Sequence, residues 1–183
     1  MALHGLPRAI DVGVINGEAF AVMAGTGFDA LMIRDAEDGM KDRLGKLSYI
    51  RTGARNLDTS GAEVKIHVDG ENWFQGRAVC VLVGNMGRIV GGIHAFPDAR
   101  CDDACSTSAC SPRRAGPTGC ASECAMTGRI DSSPMVDITQ GTCIKVRLDR
   151  TMPWELDGGA RPRAKKFEVS LLPGRLPILV PAS

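Results

Sequence analysis

The sequence predicts a mainly β, α+β fold: an antiparallel, β-sandwich-like domain with one substantial helix. Three observations predict it. Short segments alternate apolar and polar residues with a period of two, Asn-Gly and Asp-Gly pairs punctuate them, and a single segment has helical spacing. At 183 residues the chain is long enough for one good hydrophobic core or for one domain of a larger protein.

The elements follow in order. "AIDVGVI" and "EAFAVMA" flank Asn16-Gly17, a pair suited to the positive φ angles of a tight hairpin turn. From Asp35 to Leu57 the pattern becomes helical. Met40, Leu44, Leu47 and Ile50 share one side, with Lys41, Arg43, Lys46 and Arg51 on the remainder. In "AEVKIHVDG", Val64, Ile66 and Val68 alternate with Lys65, His67 and Asp69, which describes a half-buried strand ending in an Asp-Gly turn. "RAVCVLVGN" follows as a more fully buried strand, and "GNMGRIVGG" and "HAFPDAR" as loop. Further on, "CIKVRLD" and "KKFEVSLLP" place Ile144, Val146 and Leu148, then Phe167, Val169 and Leu171, on single faces, with "LDGG" as a turn between them.

One stretch departs from this grammar. From Cys101 to about Met126 no strand or helix period survives, bulky aliphatic residues vanish, and five of the seven cysteines are gathered. Residues 104–126 are therefore expected to be an irregular loop. Cys101-x3-Cys105 and Cys120-x3-Cys124, with Cys110 between them, could supply thiolates to a Zn²⁺ ion, although zinc pairs are usually spaced more tightly. The plainer reading is an exposed, thiol-bearing loop.

Composition excludes several classes. A net charge of +1 argues against a broad nucleic-acid footprint, and no apolar run approaches a membrane span. "MALHGLPRAID" lacks the apolar core of a secretory signal, so the expected location is cytoplasmic, with the cysteines as thiols. "GNMGRIVGG" has neither the Walker ending nor the dinucleotide-fold glycine spacing. His4, His67 and His94 are scattered.

Three acidic positions are candidates for chemistry. Asp157, before two glycines, can project a carboxylate into a cleft and accept a hydroxyl proton, or simply form an Asp-Gly turn. Asp102 and Asp103 in "PDARCDD" can offer oxygens to a hard cation, or be solvated loop acids. Asp29, after the glycines of "GTGFDA", can face a polar ligand group, or complement a helix N-terminus.

Four blocks occur in register: "VMAGTGFDALMI", "KDRLGKLSYIRTGARNL", "VCVLVGNMGRIVGGIHAFPDARCDD" and "WELDGGARPRAKKFEVSLLPGRLPILVP". Together they resemble the C-terminal domain of the bacterial diacylglycerol-kinase-like lipid kinases, relatives of the sphingosine kinases, over roughly residues 8–103 and 134–181. The resemblance implies a domain on the lipid side of an interdomain cleft, with ATP bound by a preceding domain that carries a "GGDGT"-type motif. It implies Mg²⁺-assisted transfer of the γ-phosphate to a lipid hydroxyl at the membrane surface.

Carried over by position, Asp157 takes the Asp of the family's Asp-Gly-Glu turn, while its Glu, the proposed base, is Gly159 here. This leaves Asp157 as the surviving catalytic candidate. Asp103 falls where the family holds a structural Mg²⁺, Arg100 and Cys105 fall where backbone carbonyls would complete that site, and Ala104 replaces a glycine. Asp29 falls where the sphingosine kinases contact the lipid headgroup.

On this reading the nucleotide domain is absent, the chain alone is expected to be inactive, and residues 104–126 look like a frameshifted segment. The alternatives are a non-enzymatic β-rich module with a zinc or redox loop, or a degenerate remnant. Neither membrane span nor nucleic-acid partner is expected.

Overall fold

The computed structural model describes residues 5–27, 61–87, 96, 98–112 and 136–181, with 107–112 as backbone only. Nine strands make up the regular structure of this part: β1 (Leu6–Ile15), β2 (Glu18–Phe20), β3 (Met23–Thr26), β4 (Ala62–Val68), β5 (Glu71–Gly84), β6 (Ser106–Pro112), β7 (Asp137–Gly141), β8 (Cys143–Leu156) and β9 (Gly159–Val180). All pairings are antiparallel, in the order β2-β1-β9-β8-β3-β5-β6-β7, with β4 joined to both β5 and β8. The mainly β, sandwich-like expectation holds. No helix occurs among the described residues, and the helix expected over 35–57 lies outside them.

The long strands β5 and β8 organise the domain. Each pairs with β4 along one half and with β3 along the other, so these two short strands fill the space between them end to end. The predicted alternation decides which face is buried. Val64, Ile66 and Val68 of β4, Ile144, Val146 and Leu148 of β8, and Phe167 and Val169 of β9 close on one core, while Lys65, Lys145, Arg147, Lys166 and Glu168 face outward. Trp154 packs edge-on against Phe167, ring centroids 5.5 Å apart.

All three hairpin turns use the backbone expected of their sequences. Asn16-Gly17, Asp69-Gly70 and Asp157-Gly158 each place both residues at positive φ. A short polar side chain followed by glycine tolerates this left-handed pair at little cost.

Two expectations need correction. "EAFAVMA" is not one strand. It breaks at Ala21-Val22 into β2, which pairs with β1, and β3, which crosses to β5 and β8. The segment expected to be irregular also opens with a strand: β6 pairs with β5 on one side and β7 on the other. The physical reason is that both neighbours present a backbone ladder, and a strand between two partners satisfies its own N–H and C=O groups without needing apolar side chains. The rest of that segment lies outside the described residues.

Candidate functional site

The turn joining β8 to β9 faces the bend between β2 and β3. Asp157 Oδ1 accepts the N–H groups of Val22 (2.8 Å) and Met23 (2.9 Å), and its Oδ2 accepts that of Ala21 (2.6 Å). The Asp157 N–H in turn donates to the Met23 carbonyl at 2.9 Å. One carboxylate thus satisfies the backbone donors of three successive residues, the two that link β2 to β3 and the first of β3. Behind the turn, Glu155 is fully buried and its Oε2 accepts the Gly158 N–H at 2.8 Å. Arg161 holds Glu18 of β2 at 2.7 Å, a second link across the same junction.

From the bend the bonding continues through Asn85, the fully buried residue after β5. Its N–H donates to the Val22 carbonyl at 2.9 Å, and its Nδ2 donates to the carbonyls of Ala21 (3.0 Å) and Asp11 (2.7 Å). Asn85 Oδ1 is buried and has no hydrogen-bond partner among the described residues. Asp11, buried in β1, sits where the β1–β9 register shifts between Ile10 and Val12. Its Oδ1 accepts the N–H of Gly174, which lies in the β9 half of that irregularity at φ 58°, and its Oδ2 accepts that of Ala104, both at 2.7 Å. The Asp11 N–H donates to the Cys101 carbonyl at 2.7 Å. A continuous path of hydrogen bonds therefore connects the Asp157 turn with the loop around Asp103.

That loop is closed by protein groups. Asp103 is exposed, and its Oδ1 accepts the Cys105 N–H at 3.0 Å in a local turn. Ala104 adopts φ 58°, the left-handed conformation that the resemblance assigns to a glycine. Asp102 lies between Arg8 and Arg100. Its hydrogen bond to Arg8, together with both guanidinium charges, holds its carboxyl below the usual range, and the same bond raises Arg8.

Mg²⁺ requires near-octahedral oxygen coordination. Here one Asp103 oxygen is already bonded, Asp102 is held by two cations, and no group of three His, Cys, Asp or Glu side chains among the described residues could hold a metal. The resemblance draws on one aspartate with backbone carbonyls, so Asp103 and the carbonyls of Arg100 and Cys105 would be the groups to hold the ion. The thiols of Cys101 and Cys105 are free, and the side chains of Cys110, Cys120 and Cys124 lie outside the description, so the proposed zinc set is not assembled on the described part.

Of the sequence-predicted positions, Asp157, Asp103, Arg100 and Cys105 belong to the linked turn and loop, while Asp29 lies outside the described residues. An open groove beside the loop is lined by Arg8, Met86, Gly87, Ala99, Arg100, Cys101 and Asp102; neither Asp103 nor Asp157 lines it. Asp11 and Asn85 are the residues that the sequence pattern does not single out. Asp11 carried a signal, as a lone acid inside the apolar run "AIDVGVI". Asn85 carried none, because an asparagine after a glycine at a strand end reads as ordinary turn chemistry.

Fold and site together define a β-sandwich-like domain whose turn and loop are knitted into one rigid margin. The chain matches the model of the YegS C-terminal NAD kinase beta sandwich-like domain over residues 22–180, and it belongs to that family. It is 34% identical over 105 residues to the probable lipid kinase YegS-like of Yersinia pestis (strain Pestoides F), covering 56% of this chain and 35% of that protein. The match to the protein of the same description in Yersinia pseudotuberculosis serotype O:1b has the same identity and coverage. The fold resembles two structures of a putative diacylglycerol kinase from Bacillus anthracis str. Sterne, at TM-scores of 0.73 and 0.74 and 23% identity. The alignments cover 95% and 97% of this chain and 57% and 59% of those chains. The chain thus spans about a third of the length of the curated relatives it matches.

Proposed function

We propose that this chain is the lipid-side half of an ATP-dependent lipid kinase, a transferase that moves the γ-phosphate of ATP to the hydroxyl of a diacylglycerol-like lipid alcohol. Family membership and relatives described as probable lipid kinases support the reading. The single observation that carries it is the match to the family's domain over residues 22–180; in this chain Asp157 holds residues 21–23 and is joined through Asn85 and Asp11 to the 101–105 loop.

In this reading Asp157 acts as a positioning residue. A proton on either of its oxygens would cost the bend one of its bonds, and Gly159 stands where the resemblance places the base. The chain supplies a preorganised edge against which the lipid hydroxyl is held, and phosphoryl transfer depends largely on such positioning. ATP, with its Mg²⁺, is bound by a nucleotide domain contributed from outside these residues. The 101–105 loop keeps its shape through Asp11, Arg8 and Asp102. The assembled enzyme works at the cytoplasmic face of a membrane as a peripheral protein, and the isolated chain is inactive.

The test uses radiolabelled ATP, Mg²⁺ and diacylglycerol-containing vesicles. The purified chain is expected to yield no labelled lipid. A chimera in which it replaces the matching domain of a YegS-like relative is expected to yield it. Labelled lipid from the chain alone would refute its inactivity, and a folded but silent chimera would refute the kinase reading.

A further inference from the structure

The outward face of β4, β8 and β9 contains a row that folding alone does not explain. Lys65 of β4 lies directly opposite Arg147 of β8, and Arg147 directly opposite Lys166 of β9. All three are exposed, and among the described residues no ion pair reaches any of them. Adjacent strands are about 4.8 Å apart, so the row places three like charges within roughly 10 Å. Like charges directly opposite one another weaken a sheet. The row continues on β5 with neutral Gln75.

The next row repeats the bias in milder form, with Asn72, His67, Lys145 and Glu168 opposite one another in turn. On the other flank the charges are already compensated: Glu63 is 3.6 Å from Arg77, and Asp149 accepts the Glu63 N–H at 3.2 Å. The acids on this face thus lie a row away from Lys65, Arg147 and Lys166.

The geometry points to this face as a docking surface for an anionic lipid bilayer. A three-strand band of lysine and arginine over a buried apolar layer can meet a plane of phosphate headgroups without insertion, each cation near the surface adding attraction. A polynucleotide fits less well. Sheets that bind single strands stack bases on outward aromatic rings, and apart from His67 the outward positions of these rows carry no ring. The large aromatics of the adjoining β5, Trp73 and Phe74, are partly buried and pack against the core. The inference rests on the lipid-kinase reading for its choice of partner, but its test measures adsorption and needs no turnover.

Co-sedimentation of the 183-residue chain with vesicles of phosphatidylcholine containing about a quarter phosphatidylglycerol is expected to show binding, with none to pure phosphatidylcholine. Binding should fade as salt shortens the screening length from about 10 Å to about 3 Å. The triple variant K65Q/R147Q/K166Q is expected to bind about a hundredfold more weakly, or roughly fivefold per cation removed. Its melting temperature should match or exceed that of the parent, because the substitutions remove repulsion, and this separates lost docking from lost folding. Three outcomes would overturn the inference: no adsorption of the parent chain, undiminished adsorption of a folded triple variant, or preferential capture of a single-stranded oligonucleotide in competition with the vesicles. None of these bears on whether the chimera phosphorylates lipid.

Discussion

Two hairpin turns in this domain are built alike and sit in different company. In the β4–β5 turn Asp69 and Gly70 adopt φ 51° and 94°; in the β8–β9 turn Asp157 and Gly158 adopt φ 47° and 85°. Each aspartate then reaches sideways to a neighbouring segment. Asp69 accepts the Thr142 hydroxyl (2.8 Å) and the N–H groups of Thr142 (3.0 Å) and Cys143 (2.8 Å), where β7 passes into β8. Asp157 accepts three N–H groups where β2 passes into β3. The same device therefore fastens a strand crossing both inside the candidate site and far from it in the chain. Its presence at Asp69, where no chemistry is suspected, means that the grip at Asp157 is sufficiently explained by folding. A chemical role for Asp157 has to come from what the held bend presents.

The largest expected effect breaks that parallel. Asp157→Asn would turn one acceptor into an NH₂ group facing backbone donors at an exposed turn where only the Met23 bond is partly buried, and is expected to cost about 1–2 kcal/mol, read by denaturant unfolding. In the active chimera the same substitution should lower kcat as the bend loosens. A stabilised double variant that restores the melting temperature should recover only part of that loss. If Asp157→Asn abolished turnover with stability unchanged, Asp157 would be a catalytic residue and the likeness to Asp69 superficial.

This difference between local and distant causes also governs what the sequence discloses. The three hairpins were legible because a two-residue turn and the alternating strands beside it are specified by neighbouring residues. The core residues of β4, β8 and β9 were legible for the same reason. The break between β2 and β3 was not, since the bend is held by Asp157, more than 130 positions away. Likewise β6 was hidden because its pairing to β5 and β7 is a property of their backbones, with no alternation of its own to reveal it. At the site, Asp157 and Asp103 stood out as acids in turns, whereas the residues that connect them, Asp11 and Asn85, could be recognised only by burial.

A smaller effect sharpens the comparison through pH. The Thr142 hydroxyl, followed by the Cys143 N–H, holds the Asp69 carboxyl below its ordinary range. A group whose pKa is lower folded than unfolded stabilises the fold above its unfolded pKa, about 3.9, and that contribution is lost as pH falls through the folded value. Solvent reaches Asp69, so Asp69→Asn is expected to cost only about 1 kcal/mol near neutrality. The gap in melting temperature between parent and variant should be constant above about pH 5 and shrink steadily below pH 4. A gap that does not change with pH would mean that the carboxylate charge contributes nothing to the grip.

The smallest effect concerns the loop where the device is incomplete. Asn16, Asp69 and Asp157 occupy left-handed backbone with a polar side chain and a following glycine, but Ala104 occupies it at φ 58° with neither. For an alanine that conformation costs roughly 1–2 kcal/mol, and the extra freedom that glycine gains in the unfolded chain offsets about half. Ala104→Gly is therefore expected to stabilise by about 0.5–1 kcal/mol, raising the melting temperature by about 2–4 °C per kcal/mol. The gain should survive in an Asp69→Asn background, which lies in another turn, and should shrink with Asp11→Asn, because Asp11 holds the Ala104 N–H that fixes this conformation. An Ala104→Gly variant no more stable than the parent would place residue 104 outside the left-handed region in solution. The Asp11 bond, rather than the turn itself, would then be what closes the loop.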